Sequence, residues 1–379
     1  MSPRAEFADL SRELAGVFSE GVDRPLTETA FNDLALRSFA YQVATNPVYE
    51  GFVRGRGTSP EGVGSWQDIP AVPASGFKAV RLVSGDPGRV EKVFRTSGTT
   101  AGARRGEHYV LDLELYRASL LPNFLAHLVP DDANVRLLSL IPSPVELTDS
   151  SLSYMIGCVA DRVGPGRAEF YMDAGGRIDH GALRHALARA EAAEEPVLLV
   201  GTAFALVHWM DAMNEGAWTF RLPAGSRLME TGGFKGRSRT LPREEFYAAL
   251  TECHGVPTGM IVNEYGMTEL LSQFYEPVIR DSADPGLAER RHVPPPWVRT
   301  RVLDPVTLSP APDGSPGLLC HFDLANLGSV CAVLTEDMGV TVDDGFRVLG
   351  RSTGAEPRGC SLAMDELMSA SSSSKEVRP

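Results

Sequence analysis

The segment that decides the fold reads Thr96-Ser97-Gly98-Thr99-Thr100-Ala101-Gly102-Ala103-Arg104-Arg105-Gly106, here called the Thr/Gly loop. Before it, residues 90–95 alternate apolar and polar side chains, which predicts a half-buried strand. After it, residues 112–128 carry apolar side chains at close to helical spacing, so we expect a loop between a strand and a helix. Small and hydroxyl residues would let backbone N–H groups close around phosphate oxygens, and the two arginines could add positive charge. A flexible turn fits the same residues.

Composition limits the class of protein. The chain has 379 residues, 43% hydrophobic and 22% charged, which is typical of a globular protein with a large core. A net charge of −13 argues against nucleic-acid binding. No apolar run reaches the ~20 residues of a membrane helix, and the five cysteines are too scattered for a disulfide framework. We therefore expect a cytoplasmic protein with neither a nucleic-acid nor a membrane partner.

The pattern along the chain predicts an α/β architecture. Between residues 135 and 262, short apolar runs alternate with helical patterns, which predicts a mainly parallel sheet covered on both faces. From about Trp297, short apolar runs separated by turns indicate a β-rich subdomain, and the serine run from Ser369 to the end predicts a disordered tail. The expected division is an α/β core at 1–290, a β-rich subdomain at 291–350 and a short C-terminal segment at 351–379. The motif loops are expected at the carboxyl ends of the strands.

Two further segments carry residue types suited to nucleotide chemistry. Within the segment 263–269, Glu269 could bind a hard cation such as Mg²⁺, Thr268 could donate to a phosphate oxygen, and Tyr265 could stack on a base. Asp337, in an expected acidic turn after a strand, could accept hydrogen bonds from two ribose hydroxyls. Ordinary loop and turn carboxylates fit the same positions.

Cys360 is the candidate nucleophile. The other cysteines lie in apolar helices and strands or at a helix end, whereas Cys360 stands in a polar segment beside Arg358. A neighbouring cation raises the thiolate fraction of a cysteine. A buried structural cysteine is the alternative.

The order of these motifs resembles the adenylate-forming superfamily and, more closely, the acyl-protein synthetase family (LuxE-type). The resemblance covers roughly residues 31–367. It rests on residues 69–78, the Thr/Gly loop, residues 232–237, 263–275, 323–326, 335–339, 350–351 and 354–361. It implies the large N-terminal domain of an adenylate-forming enzyme. The mobile C-terminal domain of longer superfamily members, with its catalytic lysine, would be absent.

The resemblance also implies a site. The ATP phosphates would be held by Thr96, Ser97, Gly98, Thr99 and Thr100, and the rest of the nucleotide by Gly232, Gly233, Tyr265, Gly266, Asp337 and Arg351. Thr268 and Glu269 would address the α-phosphate and Mg²⁺, with Glu269 as the metal ligand. Ala101 stands where the family usually has glycine, and no lysine follows the loop. Lys235 is a candidate replacement cation, and a solvated loop lysine is the alternative.

The expected function is ATP- and Mg²⁺-dependent adenylation of a fatty or aromatic carboxylic acid, followed by acyl transfer to Cys360. One alternative is transfer to coenzyme A, a carrier-protein thiol or an amine. Another, of a different class, is a non-catalytic nucleotide-binding partner of a reductase or biosynthetic complex. An acyl reductase or a carrier protein is the expected partner. Candidates for the acid pocket, each of which could equally be a core residue, are Phe204, Trp209, Met210 and Phe234.

Overall fold

The computed structural model describes residues 2–97, 104–232, 241–351 and 358–376. The helices are α1 (Pro3–Ser19), α2 (Glu28–Thr45), α3 (Pro47–Gly55), α4 (Gly76–Ala79), α5 (Leu113–Leu128), α6 (Ser151–Val163), α7 (His180–Ala192), α8 (Ala203–Gly216), α9 (Arg243–His254) and α10 (Arg358–Glu376). The strands are β1 (Val72–Pro73), β2 (Lys92–Arg95), β3 (Glu107–Val110), β4 (Arg136–Leu140), β5 (Ala168–Phe170), β6 (Val197–Thr202), β7 (Arg227–Thr231), β8 (Ile261–Tyr265), β9 (Phe274–Tyr275), β10 (Val298–Leu303), β11 (Gly317–Asp323), β12 (Ala332–Val342) and β13 (Gly345–Arg351). None of the described helices combines the length and the apolar character needed to span a membrane.

Contacts along the chain define two units. The first unit comprises residues 1–122, 267–273 and 293–379, and the second comprises residues 123–266 and 274–292. The first unit gathers distant parts of the chain because β1, near the N-terminus, pairs in parallel with β12. This grouping cuts across the expected boundaries at residues 290 and 350, and those boundaries stay a prediction.

The second unit is built on a six-stranded sheet in the order β5-β4-β6-β7-β8-β9. Its first five strands are parallel, and only β9 runs antiparallel to its neighbour. The central strand β6 is buried from Val197 to Val200, as in sheets that helices cover on both faces. The predicted α/β fold with a parallel sheet is confirmed. Trp209 and Met210, candidates for the acid pocket, lie fully buried in the core beside β6.

The first unit contains the predicted β-rich region. Its sheet has the order β1-β12-β11-β10, and β13 pairs with β12. The acidic turn expected at residues 335–339 is wrong, because this segment lies inside the long strand β12. Pairing with β13 keeps it extended: Asp337 lies opposite Arg351, and the register shifts between Met338 and Gly339.

The Thr/Gly loop connects two strands of a hairpin. β2 and β3 pair antiparallel, with Arg95 opposite Glu107, and α5 begins only after β3. The expected strand–loop–helix order is therefore wrong. Strand β3 was not predicted because its four residues show no recognisable pattern of their own. The hairpin also lies in the first unit and outside the parallel sheet, which corrects the expected position of this loop at the end of a parallel strand.

Helix α10 replaces most of the predicted disordered tail. It reaches Glu376, and Ala363, Leu367 and Ala370 are buried along one face. A methyl group added to Gly51 of α3 would lie 3.1 Å from Cβ of Ala370, so the two helices pack closely. The serine run hid this helix because two of these three buried residues are alanines, which give only a weak apolar pattern.

Candidate functional site

The base of the Thr/Gly loop is closed by reciprocal hydrogen bonds. Thr96 N donates to Gly106 O (3.0 Å), and Gly106 N donates to Oγ1 of Thr96 (2.8 Å). The Arg105 guanidinium donates to the carbonyls of Thr96 (2.6 Å) and Arg95 (3.1 Å), so this cation holds the hairpin backbone. Ser97 is exposed where the loop begins. The predicted phosphate contacts of Gly98, Thr99 and Thr100 lie outside the described residues.

The segment with Thr268 and Glu269, residues 267–273, is here called the Glu269 loop; its backbone is fixed from two sides. His108 of β3 donates from Nδ1 to Thr268 O (2.8 Å), and its ring meets Phe77 edge-on with centroids 5.4 Å apart. Burial lowers the pKa of His108 to about 4, so the ring is neutral near pH 7. The β2–β3 hairpin is therefore tied to the Glu269 loop.

The other side of the Glu269 loop is held by Asp323 and Asn326. Asp323 accepts hydrogen bonds from the backbone N–H groups of Leu271 (3.1 Å) and Ser272 (2.8 Å). Asn326 donates from Nδ2 to Glu269 O (2.8 Å) and accepts from Leu271 N (2.9 Å). Residues 323–326 belong to the segments that carry the resemblance, but no role was predicted for them or for His108. The structure makes all three positioning residues for the Glu269 loop.

The carboxyl group of Glu269 is buried, with only 7% of the residue exposed. Burial raises its pKa to about 7, the positive charges of Lys78 and Arg351 lower it, and the negative charge of Glu336 raises it. A carboxylate that keeps little contact with water and stands near cations suits a ligand that brings a metal ion and phosphates together. Among the described residues, no group of three or more His, Cys, Asp and Glu is arranged to hold a metal ion.

Asp337 and Arg351, the predicted ribose pair, are neighbours on β12 and β13. Nε of Arg351 lies 3.7 Å from Oδ1 of Asp337, and Nη1 lies 3.8 Å from Oε2 of Glu336. The Arg351 side chain is 72% exposed, and Asp337 is 18% exposed. The structure thus brings the two residues together at an accessible edge of the first unit's sheet.

Cys360 lies in an apolar cluster, although the sequence around it is polar. It is the third residue of α10, only 1% exposed, and its neighbours in the cluster include Leu303, Leu318, Cys320 and Leu334. Its Sγ lies 3.8 Å from the carbonyl oxygen of Thr335. The side chain of Arg358, the proposed neighbouring cation, is outside the described residues.

The first turn of α10 is fastened beside this thiol. Gly359 N donates to Pro305 O (3.1 Å), and a methyl group added to Gly359 would lie 2.6 Å from Cδ2 of Leu308. The thiol therefore has access to a ligand only if this turn leaves its contacts.

The second unit carries the remaining predicted nucleotide residues. Gly232 follows β7 with a φ of +70°, and Tyr265 ends β8 with its ring 5.9 Å from that of His292. Gly266 is exposed next to Tyr265. Nε2 of His292 also donates to Oδ1 of Asn263 (2.6 Å), in the middle of β8. The predicted roles of Gly233 and Lys235, and of Phe234 in the acid pocket, fall outside the described residues.

Solved structures define the class of this fold. 2-Hydroxyisobutyryl-CoA ligase, solved in the postadenylation state in complex with 2-HIB-AMP, superposes with a TM-score of 0.62 at 15% identity. The match covers 86% of this chain and 69% of that chain. The fold is that of the N-terminal domain of adenylate-forming ligases, as expected from the resemblance.

Sequence comparison narrows the class to one family. The family model "Acyl-protein synthetase, LuxE" matches residues 27–369, so this chain belongs to the LuxE acyl-protein synthetase family and is a ligase. The long-chain-fatty-acid–luciferin-component ligase of Vibrio harveyi is 26% identical over 344 residues, which cover 88% of this chain and 86% of the relative. The ligase of the same description from Aliivibrio fischeri is 24% identical over 344 residues, 87% of this chain and 86% of the relative.

Proposed function

We propose that this ligase uses ATP and Mg²⁺ to adenylate a long-chain fatty acid and then transfers the acyl group to Cys360. A long-chain fatty acid is proposed as the substrate because the two relatives compared above are named long-chain-fatty-acid–luciferin-component ligases. An acyl reductase is the partner that would accept the acyl group from the thioester. The observation that best supports this proposal is the buried carboxyl of Glu269, which lies on a loop fixed by His108, Asp323 and Asn326.

The first step forms the mixed anhydride. A carboxylate oxygen of the acid attacks the α-phosphorus of ATP, and the bond to the leaving pyrophosphate breaks. Negative charge builds on the phosphate oxygens, so fixed donors near them lower the barrier. Bound Mg²⁺ would neutralise part of that charge. Thr268 would donate to the α-phosphate, while Asp337 accepts from the ribose hydroxyls and Arg351 is positioned beside it.

The second step forms the thioester. The thiolate of Cys360 attacks the carbonyl carbon of the adenylate, the bond to AMP breaks, and the thiol proton passes to solvent. Because Sγ packs against Thr335 O in the described conformation, this step requires the first turn of α10 to release its contact with Pro305.

A second candidate function keeps the adenylation and transfers the acyl group to coenzyme A, a carrier-protein thiol or an amine. One observation favours it: Cys360 is buried among apolar side chains, where an acceptor is inaccessible. In this alternative Cys360 is a structural residue, and its replacement leaves acyl transfer intact.

The two functions differ in the fate of a Cys360→Ser variant. We expect the wild-type protein, incubated with ATP, Mg²⁺ and a long-chain fatty acid, to gain one acyl mass that hydroxylamine removes, because hydroxylamine cleaves thioesters. Cys360→Ser should lose this adduct and keep acid-dependent ATP–pyrophosphate exchange, since adenylation precedes capture by the thiol. Intact-protein mass spectrometry and the exchange assay measure the two steps separately.

Cys253→Ser is the matched control, because Cys253 is also buried but lies at the end of α9 in the second unit. It should retain both exchange and the adduct. An adduct that maps to another residue would favour the second candidate function, as would full-rate acylation of a separate acceptor by Cys360→Ser. A wild-type protein without acid-dependent exchange would exclude both candidates and leave the non-catalytic nucleotide-binding partner.

A further inference from the structure

Lys78 holds a fixed position in the short helix α4. The two residues before it are both buried: a methyl group on Gly76 would lie 2.5 Å from Cδ2 of Leu367, and Phe77 packs edge-on against His108. With these two residues directed into the first unit, the Lys78 side chain is left exposed. Its place in the fold is therefore set by its neighbours.

The stem of Lys78 passes the base of the Thr/Gly loop. A methyl group added to Gly106 would lie 3.3 Å from Cγ of Lys78 and 3.0 Å from Cγ2 of Thr96. The absence of a side chain at Gly106 thus leaves room for the lysine beside the residue that opens the loop.

The charge of Lys78 lies close enough to the candidate metal ligand, Glu269, to lower the pKa of its carboxyl group. It acts on the carboxyl of Glu269 through space, but across the described ranges its ammonium group has no hydrogen bond or ion pair. The arginines at the hairpin base are used differently. Arg95 pairs with Glu107 (3.0 Å), and Arg105 donates to backbone carbonyls. Of these three described side chains, Lys78 is the one that keeps its charge available for a ligand.

We propose that Lys78 is a further catalytic residue that binds the β- and γ-phosphates of ATP and stabilises the pyrophosphate as it leaves. This inference rests on the proposed adenylation. It follows from three observations: the stem lies beside Thr96, the charge reaches Glu269, and the ammonium has no partner in the part of the chain that the structure describes. An ammonium group is a compact charge on a flexible stem, well suited to phosphate oxygens that move during the reaction. No lysine follows the Thr/Gly loop in the sequence, and Lys78 would supply the positive charge in its place.

Lys78 would contact the β- and γ-phosphates, which leave as pyrophosphate, and not the α-phosphate, which stays in the adenylate. We expect Lys78→Met, which keeps the stem against Gly106 and removes the charge, to weaken ATP and pyrophosphate binding at least about ten-fold. AMP has only the α-phosphate, so its affinity should not change. Titration calorimetry with ATP, pyrophosphate and AMP in the presence of Mg²⁺ measures all three, and exchange kinetics should show a matching loss of rate.

Lys92→Met is the matched control, because Lys92 begins β2 at the end of the strand away from the Thr/Gly loop. It should bind all three ligands as the wild type does, and Lys78→Arg should recover most of the lost ATP affinity. Equal losses for ATP and AMP would overturn the proposal, and so would wild-type affinity in Lys78→Met. If either of these two results is obtained while the wild-type protein still exchanges pyrophosphate, only the inference about Lys78 fails. If it binds no ATP, the proposed function fails as well.

Discussion

Glu269 shows how the surroundings prepare one carboxyl group. Its backbone is fixed by Asn326, its side chain is withdrawn from water, and Lys78 and Arg351 offset the cost of its charge. The residue type was predictable from its place in the segment 263–269. The two cations that act on it were not, because they come from α4 and β13, which are distant in sequence.

We expect Glu269→Gln to lower acid-dependent ATP–pyrophosphate exchange by roughly a hundred-fold or more, the size of effect seen when a fixed electrostatic group is removed. The amide is nearly the same shape as the carboxyl and is less costly to bury than a charge, so the fold should be retained. Exchange rates at saturating Mg²⁺ measure the loss, and thermal unfolding checks the fold. Near-normal exchange in a folded variant would contradict the assignment of Glu269.

Cys360 shows the opposite relation between sequence and structure. Its motif singled it out, and local polarity suggested exposure, but the side chains that bury it come from β10, β11 and β12. Neighbours in sequence carry no information about such contacts. The candidate nucleophile was therefore predictable as a residue, and its buried resting position was not.

At the scale of elements, length decided what the sequence could predict. The parallel strands β4 and β6 are rich in apolar residues and were recognisable, whereas β3 is a four-residue strand defined by its pairing with β2. Helix α10 was missed because alanines supply much of its buried face and give a weak local pattern. Ala370 meets Gly51, and Leu367 reaches Gly76, across sequence distances that no local pattern reports.

Helix α10 should control the accessibility of Cys360. Leu367 is fully buried, so we expect Leu367→Ala to leave a cavity that costs up to about 2–5 kcal/mol and loosens the helix. The labelling rate of Cys360 by a thiol reagent should then rise at least about ten-fold, because local opening becomes more frequent. All five cysteines are buried in the wild type, which keeps the background low. Peptide mapping after timed labelling measures the rate.

Met368→Ala is the control for this experiment. Met368 is the next residue on α10 and is 43% exposed, so its truncation should leave labelling of Cys360 unchanged. Equal labelling rates in Leu367→Ala and the wild type would show that the packing of α10 does not limit access to the thiol.

For the whole molecule, the parallel sheet was predictable from its apolar periods, but the composition of the two units was not. The first unit depends on β1 pairing with β12, a contact between distant residues that no single-sequence pattern contains. The described residues also bury many ionisable groups that the sequence could not identify. Burial lowers the pKa of four histidines to about 4, namely His108, His127, His254 and His292. It raises to about 7 the pKa of Glu230, Glu264 and Glu269.

These two sets act on stability in opposite directions. A histidine whose pKa falls on folding contributes stability that is complete above its ordinary pKa of 6.5 and is lost as the pH falls toward 4. A glutamate whose pKa rises on folding favours the folded state most below its ordinary pKa of 4.5, and this advantage is lost as the pH rises toward 7. Between about pH 4 and about pH 7 the free energy of unfolding changes with pH in opposite directions for the two sets, so the changes offset each other. Single variants are needed to separate the two contributions.

We expect His254→Gln to reduce the loss of stability in acid. Nε2 of His254 accepts a hydrogen bond from the indole of Trp209 (3.0 Å), and Nδ1 donates to Leu250 O (2.9 Å), so protonation of Nε2 removes the first bond. Glutamine does not titrate. The free energy of unfolding of the variant, relative to wild type, should therefore improve by ~2 kcal/mol between about pH 7 and about pH 4.5. Urea unfolding at both pH values measures this change. His185→Gln, on the exposed face of α7, should leave the difference constant. A constant difference for His254→Gln as well would mean that this histidine is not kept neutral by its burial.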